Sequence, residues 1–535
     1  MNIIKDFLLN SWQLAAVAWI TSIVSGISRV GLLIITNLAL ESGQDTRAFS
    51  LMFVGLCLVL LISAIISETI LVGMGQSCIF QLRIELSQRI LATPLRQLQH
   101  IGRDRLMTAF TEDITSIANA FSLMPIMCID GSLILGCLVY IGWLSWSLLL
   151  TVVVFIVIGI ISFRFLQHRA LRWLHAARDR DDELYAHFRS LIDGNKELKM
   201  HKRRRQAFFE IKLHAAADSI RHKMIKGMAF YTLADHWGNL LFYIAIWAVL
   251  FVLSEPAMTT QIKIGYVLSI LYLMGPLASL MSALPGLGRG IVALRNISAM
   301  KQSLTKAESD NGSDSCFACD SNPSVLELRG IQHAYHHNQD DQGFVLGPLD
   351  LTFQPGELVF FIGGNGSGKT TLALILLGLY APDHGGVYLN GELITDMNRD
   401  AYRQQFAAVF SDAFLFESLF GHEHGDVGER VQELLGKLQL KHKVKLQDNR
   451  FSTLELSQGQ RKRLALLSAY IDNRAFYVFD EWAAEQDPVF KNLFYTELLP
   501  ELKALGKTVL VITHDDQYYN LADRYIRFES GRIVN

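Results

Sequence analysis

The chain has 535 residues, of which 50% are hydrophobic and 19% are charged, and its formal net charge is −2. Soluble proteins carry about 25% charged residues, so this composition excludes an ordinary soluble enzyme, a disordered chain and a collagen-like repeat. The near-neutral charge shows no global basic bias, so no nucleic acid partner is expected. Six cysteines are few for this length and imply no disulfide framework.

The first half of the chain is predicted to be an all-α transmembrane domain, residues 1–300. Its apolar runs reach the length of about 20 residues that a helix needs to cross a bilayer. The first run is longer than the apolar core of a signal peptide and has no small-residue cleavage site, so no cleavable leader is expected. Six spans are predicted, near 15–40, 52–72, 121–142, 144–165, 229–253 and 265–284.

Arginine and lysine residues predict the orientation of these spans. The connections 74–120 and 166–228 are basic, whereas the short loops 41–50 and 254–264 carry one basic residue each. Because basic loops stay on the cytoplasmic side, both long connections and both chain termini are predicted to be cytoplasmic. The long connections also carry helical periodicity, which predicts cytoplasmic extensions of the membrane helices.

The second half of the chain is predicted to be a separate α/β domain, residues 325–535. Residues 301–324 are rich in Ser, Asp, Asn and Lys without an apolar period, which is typical of a linker. Beyond them, strand-like apolar runs alternate with helical ones. The short, almost wholly apolar runs 358–362, 475–479 and 508–512 are typical of buried parallel strands.

Residues 363–370, GGNGSGKT, fit the phosphate-binding pattern G-x-x-x-x-G-K-[ST], with a predicted strand before them and a helix over 371–379 after them. Backbone N–H groups of such a loop surround phosphate oxygens, and the helix N-terminus adds positive potential. Lys369 is predicted to reach the β- and γ-phosphates of ATP, and the Thr370 hydroxyl to bind Mg²⁺. The predicted nucleotide-binding residues here are Gly363, Gly364, Asn365, Gly366, Ser367, Gly368, Lys369, Thr370 and Thr371.

Two carboxylates and a histidine extend this prediction to hydrolysis. The apolar run 475–479 is followed directly by Asp480 and Glu481. Asp480 is placed to hold the Mg²⁺ shell and Glu481 to polarise the attacking water. His514 follows the apolar run 509–513 and is placed to contact the γ-phosphate, so Glu481 and His514 are the candidate catalytic residues.

A short motif then indicates the family. Residues 456–463 are LSQGQRKR, and here the chain resembles the ATP-binding cassette transporters, whose signature is LSGGQ, with Gln458 in place of the middle glycine. The resemblance covers the whole chain, because six spans followed by one cassette is the layout of an exporter-type half-transporter. Segments 101–118 and 190–200 are similar to the two intracellular loops that transmit cassette closure to the spans of these exporters.

The resemblance implies that two cassettes sandwich two ATP molecules. One chain has one P-loop and one signature, so a homodimer with two composite sites is the simplest assembly. The resemblance places Tyr335 against adenine, and it places Ser411 where most cassettes have a glutamine that touches Mg²⁺. The signature residues that would act in trans are Leu456, Ser457, Gln458, Gly459 and Gln460.

Further details resemble a bacterial subgroup that exports cyclic or modified peptides, namely the microcin-, pyoverdine- and syringomycin-type exporters. These details are the P-loop sequence, Ser411, the polar Gln458 within the signature, and the segments 481–488 and 514–516. The subgroup implies ATP-driven efflux of a peptide across the bacterial inner membrane, with a cytoplasmic cassette, surrounding membrane lipid and a periplasmic or outer-membrane efflux partner. A siderophore importer, a lipid flippase and an ATP-gated regulator remain alternatives.

Ionisable residues inside the spans are costly, so they usually face a partner or a cavity. Arg29 and Asp130 fall at similar membrane depth and are predicted to pair, whereas Glu68 and Asp235 fall nearer the cytoplasmic side. Two interpretations remain open for these four residues: salt bridges that fix helix packing, and a polar cavity for the cargo. Aromatic residues that could line such a cavity are Trp237, Tyr243, Trp247 and Tyr272.

Overall fold

The computed structural model describes residues 12–41, 46–252, 260–304, 324–334, 344–419, 427–447 and 449–534. Its residues form two compact units, one of Met1–Leu86 with Asp104–Lys301 and one of Ser87–Arg103 with Gln302–Asn535. Most of the predicted linker 301–324 and the predicted adenine-stacking Tyr335 lie outside the described residues.

Long helices build the membrane unit, and six of those in the described residues are long and apolar enough to span a membrane. They extend well beyond the apolar runs, since helical sequence continues into both long connections. In chain order the helices up to Ser303 are α1 (Trp12–Glu41), α2 (Thr46–Leu91), α3 (Leu95–Ile101), α4 (Arg103–Thr108), α5 (Ile114–Leu144), α6 (Trp146–Asp193), α7 (Asn195–Met200), α8 (Lys202–Ala207), α9 (Ala215–Trp247) and α10 (Thr260–Ser303). Short π-helical turns occupy Ala109–Asp113, Phe208–His214 and Ala248–Val252.

Small residues allow α1 and α5 to pack closely. A Cβ atom added at Gly26 would lie 2.5 Å from the Cβ of Ser132, and one added at Gly136 would lie 2.6 Å from a methyl carbon of Val30. Membrane helices associate through such close packing, because the apolar effect gives no preference between a neighbouring helix and lipid. This contact brings the middle of the first span against the third.

The other unit is an α/β cassette with two sheets. The helices that follow are α11 (Lys369–Leu376), α12 (Arg399–Arg403), α13 (Val427–Lys437), α14 (Gln458–Asp472), α15 (Pro488–Leu493) and α16 (Leu499–Ala504). The strands are β1 (Leu326–Ala334), β2 (Val345–Phe353), β3 (Leu358–Gly363), β4 (His384–Leu389), β5 (Glu392–Leu393), β6 (Phe406–Val409), β7 (Leu446–Gln447), β8 (Arg450–Phe451), β9 (Phe476–Asp480), β10 (Thr508–Ile512), β11 (Arg524–Glu529) and β12 (Arg532–Val534).

The larger sheet has the order β12-β11-β3-β10-β9-β6, and all its pairings except β11–β12 are parallel. The smaller sheet, β2-β1-β4-β5, is antiparallel. Side chains of β3 alternate between two cores: Phe360 packs in the cluster around α13, α14 and α16, and Phe361 packs in the cluster that holds α11 and the smaller sheet. Burial on both faces explains the continuous apolar sequence of this strand.

Helix α3 belongs to the cassette unit and contacts its surface. Leu95 packs against the core around α11, and Arg96 Nη1 lies 3.0 Å from Asp383 Oδ1. The Tyr380 hydroxyl donates a hydrogen bond to Gln99. The residues that make these contacts lie just before the segment 101–118, which resembles the first intracellular loop of the exporters. Helix α3 ends at Ile101, and Gly102 follows with a φ of +85°.

Candidate nucleotide site

The candidate nucleotide site lies where three neighbouring strands end. Strands β3, β10 and β9 are adjacent and parallel, so their carboxyl ends meet at one edge of the sheet. The P-loop follows β3, Asp480 ends β9, and His514 comes shortly after β10. Ligands of open α/β sheets bind at this kind of edge. The predicted phosphate-binding, metal-binding and catalytic residues are therefore brought together by the strand order.

Glycine is required in the P-loop for steric reasons. At Gly363 a Cβ atom would lie 2.2 Å from the carbonyl oxygen of Phe528, and φ is +143°. At Gly368, directly before α11, φ is +104° and a Cβ atom would lie 2.7 Å from a methyl carbon of Leu346. Only glycine avoids both penalties. The loop consequently curls tightly between β3 and the N-terminus of α11, where phosphate groups bind well.

Lys369 is held across the P-loop by the loop's own backbone. Its Nζ donates to the carbonyl oxygens of Gly363 at 2.8 Å and Gly364 at 2.9 Å. Burial lowers the pKa of Lys369, and the carboxylates of Glu481 and Asp480 oppose that shift. The ammonium group is thus positioned beside the loop that is predicted to bind phosphate.

Asp480 and Thr370 form a pair of oxygen donors. Thr370 Oγ1 donates to Asp480 Oδ1 at 3.3 Å, and Asp480 is buried. Burial raises the pKa of Asp480, and the neighbouring Glu481 charge raises it further. A hydroxyl and a carboxylate are ligands that Mg²⁺ prefers, and a dication would compensate the buried charge, so these residues fit the metal. No hydrogen bond in the described residues joins the exposed Ser411 to either of them.

The backbone fixes the position of Glu481. Its φ is +49°, its N–H donates to the Ile512 carbonyl at 3.1 Å, and its own carbonyl accepts from Lys462 Nζ at 3.0 Å. Its side chain reaches His514, with Nε2 3.3 Å from Oε1. A left-handed backbone is uncommon for glutamate and marks a position that the surrounding structure has to enforce. Glu481 and His514 are therefore held together beside the P-loop.

The signature segment begins helix α14 with a capping box. The Ser457 side chain accepts from the Gln460 backbone N–H, and the Gln460 side chain accepts from the Ser457 N–H at 3.2 Å. Gln458, the residue that departs from the family signature, donates to Glu485 Oε1 at 2.6 Å. The Gly459 carbonyl accepts from Gln486 Nε2 at 3.0 Å. The signature segment is thereby tied to the loop that follows Glu481 in the same chain.

A buried lysine strengthens this connection, although no motif pointed to it. Lys462 lies on α14 and is 2% exposed. Its Nζ donates to the Glu481 carbonyl oxygen at 3.0 Å and lies 3.4 Å from Glu485 Oε2. Trp482 Nε1 donates to the Lys462 carbonyl at 2.7 Å. The basic run 461–463 resembles a solvated charged stretch, and only the strand-to-helix packing shows that its middle residue is buried.

In the membrane unit, the predicted charge pair is present. Arg29 Nη1 lies 3.5 Å from Asp130 Oδ1, and the Asp130 side chain is only 10% exposed. Glu68 is exposed, and no ion pair or hydrogen bond of Glu68 is found among the described residues. Asp235 lines a cavity bounded by α6, α9 and α10. That cavity does not include the four aromatic residues proposed from the sequence, all of which are exposed on the unit surface: Trp237, Tyr243, Trp247 and Tyr272.

Comparison with known proteins establishes the family. Residues 8–279 match the ABC transporter transmembrane region, and residues 346–484 match the ABC transporter ATP-binding family. The chain belongs to the ATP-binding cassette transporter family. Membership confirms the predicted six-helix transmembrane domain followed by a P-loop cassette, and it makes the protein a multi-pass half-transporter whose ATPase is coupled to transport.

Individual relatives of this transporter carry different names. ATP-binding protein SyrD of Pseudomonas syringae pv. syringae is 34% identical over 96% of this chain and 93% of SyrD. The ATP-dependent lipid A-core flippase of Thiobacillus denitrificans is 25% identical over 91% of this chain and 85% of the flippase. A bacterial Atm1-family ABC exporter with ATP bound shares the fold, with a TM-score of 0.75, 15% identity, and coverage of 98% and 95% of the two chains.

Proposed function

We propose that this ABC exporter carries a peptide-type cargo, a cyclic or modified peptide such as a microcin or peptide siderophore, out across the bacterial inner membrane. The observation that carries the proposal is the 34% identity to SyrD along nearly the whole chain, against 25% to the lipid A-core flippase of Thiobacillus. It agrees with the resemblance of the signature and P-loop to peptide exporters. Both termini and the cassette face the cytoplasm in this proposal.

Each ATP is proposed to bind at the P-loop, with Thr370 and Asp480 holding Mg²⁺. The metal would draw charge from the β- and γ-phosphates. Lys369 neutralises phosphate charge from the other side of the loop. Glu481 polarises the attacking water. His514 lies 3.3 Å from the Glu481 carboxylate, which it orients, and it also contacts the γ-phosphate.

The working assembly is proposed to be a homodimer, in which the signature of one chain completes the ATP site of the other. A mixed dimer with Ser457→Arg in one chain and Lys369→Ala in the other puts both lesions into one composite site. We expect residual ATPase in that dimer and none when every chain carries both changes. Equal loss in the two samples, measured as phosphate release from tandem-tag purified dimers, contradicts action in trans between independent sites.

Direction and cargo are tested together in everted inner-membrane vesicles. ATP-dependent accumulation of a cyclic peptide inside such vesicles is expected for the unmodified protein and is expected to disappear with Glu481→Gln. Uptake only into right-side-out vesicles would instead support a siderophore importer. The same vesicles show whether an efflux partner is needed, because they lack the outer membrane.

A lipid flippase is the second candidate, since several lipid A-core flippases align over most of the chain at 23–26% identity. Proteoliposomes with fluorescent lipid A in one leaflet distinguish it from peptide export. ATP-dependent lipid transfer without peptide uptake would replace our proposal with this one.

A further inference from the structure

One cavity of the membrane unit combines an apolar wall with a single charge. It lies among α6, α9 and α10. Most of its lining is aliphatic or aromatic, including Phe155, Phe163 and Phe242. Asp235 is the one carboxylate in that lining. Tyr231, Asn239 and Ser282 supply the other polar side-chain groups.

Asp235 differs from Asp130, the other aspartate within the spans. Asp130 has Arg29 as a partner at 3.5 Å, whereas Asp235 has no ion pair or hydrogen bond among the described residues. A carboxylate in a membrane domain is stabilised by a counter-charge, by water or by a cavity that receives a ligand. Asp235 already faces the cavity, so a cation entering there would find an uncompensated charge.

We propose that this cavity binds an amphiphile with a primary ammonium group, whose apolar part packs on Phe155, Phe163 and Phe242 and whose ammonium pairs with Asp235. Asn239, Tyr231 and Ser282 offer oxygen acceptors for the other ammonium hydrogens. A neutral or anionic amphiphile would fit the walls but would leave the carboxylate unpaired or repel it. The inference rests on the proposed function and narrows its cargo to cationic peptides with a large apolar part.

Two probes that share an apolar chain and differ at one amine test the carboxylate. N-dodecanoyl-lysine amide carries the ammonium, and its Nε-acetylated analogue does not. Binding of each tritiated probe is measured by scintillation proximity on the full-length protein in nanodiscs. We expect the cationic probe to bind more tightly to the unmodified protein, and Asp235→Asn to weaken it about tenfold, the effect of losing one charge-assisted hydrogen bond. The neutral probe should change less than twofold, and Asp235→Glu should retain most of the preference.

Two further variants locate the site. Glu68→Gln removes a carboxylate that lies in a span but outside the cavity lining, so it should leave the preference for the cationic probe intact. Ala278→Phe fills the cavity from α10 and should weaken both probes. Equal affinity of the two probes for the unmodified protein, full affinity in Asp235→Asn, an equal loss in Glu68→Gln, or normal binding in Ala278→Phe would each overturn the proposal.

Vesicle uptake separates this inference from the proposed export function. If the unmodified protein accumulates cyclic peptide in everted vesicles and Asp235→Asn keeps the full preference for cationic over neutral peptides, the cavity assignment is wrong while peptide export stands. If the probes bind as expected but no peptide is accumulated, the cavity assignment stands and the export proposal fails.

Discussion

The nucleotide cleft and the membrane cavity each contain a carboxylate, but Asp480 is buried whereas Asp235 is exposed. Asp480 has Thr370 as a hydrogen-bond donor, with the Lys369 charge close enough to lower its pKa against the effect of burial. Asp235 has no such neighbour in the described residues. The cleft is built from strand ends and backbone geometry, whereas the cavity is a space between helices with one charge in its wall. Pre-organisation therefore distinguishes the chemical site from the proposed cargo site.

The Arg29–Asp130 pair is intermediate between these two. It lies between helices, like the cavity, yet its carboxylate has a fixed partner, like Asp480. Close packing of α1 on α5 at Gly26 and Gly136 brings the two residues together. Within the described residues, the spans of this protein thus contain a paired aspartate, Asp130, and an unpaired one in a cavity wall, Asp235. Single substitutions should separate their roles.

The largest effect is expected at the pre-organised site. Glu481→Gln keeps the left-handed backbone and the metal ligands but removes the polarising carboxylate, so steady-state hydrolysis should fall about 10²–10⁴-fold while ATP binding persists. Phosphate release and trapped nucleotide are measured on the purified protein. Glu497→Gln, a change at an exposed glutamate of the cassette, is the matched control. Near-normal turnover in Glu481→Gln would mean that another group activates the water.

Lys369→Ala should damage the same site in a different way. Loss of its charge and its two bonds to the P-loop backbone should weaken ATP binding about 10–100-fold, since hydrogen bonds to charged groups contribute about 1.5–3 kcal/mol. Fluorescent nucleotide titration measures the affinity. Lys437→Ala removes a surface lysine that pairs with Glu501 and should change nothing. Unchanged ATP affinity in Lys369→Ala would refute its contact with the phosphates.

The membrane pair should show a smaller effect, on stability. Arg29→Leu leaves the Asp130 carboxylate without its partner, and an unsatisfied buried polar group costs about 1–3 kcal/mol. Detergent-extractable yield and the midpoint of thermal unfolding should both decrease. The exchanged pair, Arg29→Asp with Asp130→Arg, should restore both values if pairing is the main role.

The exchanged pair also tests a role in cargo recognition. Normal folding with a changed set of peptides that stimulate ATPase would show that the two residues sense peptide charge. If Arg29→Leu and Asp130→Leu each match the unmodified protein in yield and in peptide-stimulated phosphate release, the pair has neither role.

The smallest effect is expected at Gln458. Gln458→Glu would place a carboxylate against Glu485, where a 2.6 Å hydrogen bond now joins the two side chains, and should reduce ATPase several-fold. The double variant Gln458→Glu with Glu485→Gln restores a donor and an acceptor with exchanged roles. Recovery of activity in the double variant supports the contact, and additive losses would show that the two residues act separately.

The sequence by itself determined the family and the six spans, and it predicted most of the residues of the candidate nucleotide site. Local motifs were sufficient here because phosphate binding depends on backbone that only a glycine-rich loop can adopt, and because the glycines, Lys369 and Thr370 are contiguous. Asp480 and Glu481 could be added because they follow a wholly apolar run, which has to be a buried strand. Paired depth along two predicted helices also sufficed to predict the contact of Arg29 with Asp130.

Only the tertiary structure showed which side chains meet across different elements. Lys462 belongs to a basic run, yet α14 packs it against the Glu481 backbone, and Gln458 reaches Glu485 because the signature helix lies beside the loop after β9. In the membrane unit, the predicted aromatic residues are exposed, whereas Phe155, Phe163 and Phe242 line the cavity with Asp235. Apolar residues occupy every face of a membrane helix, so the sequence carries no periodic signal for the face that borders a cavity.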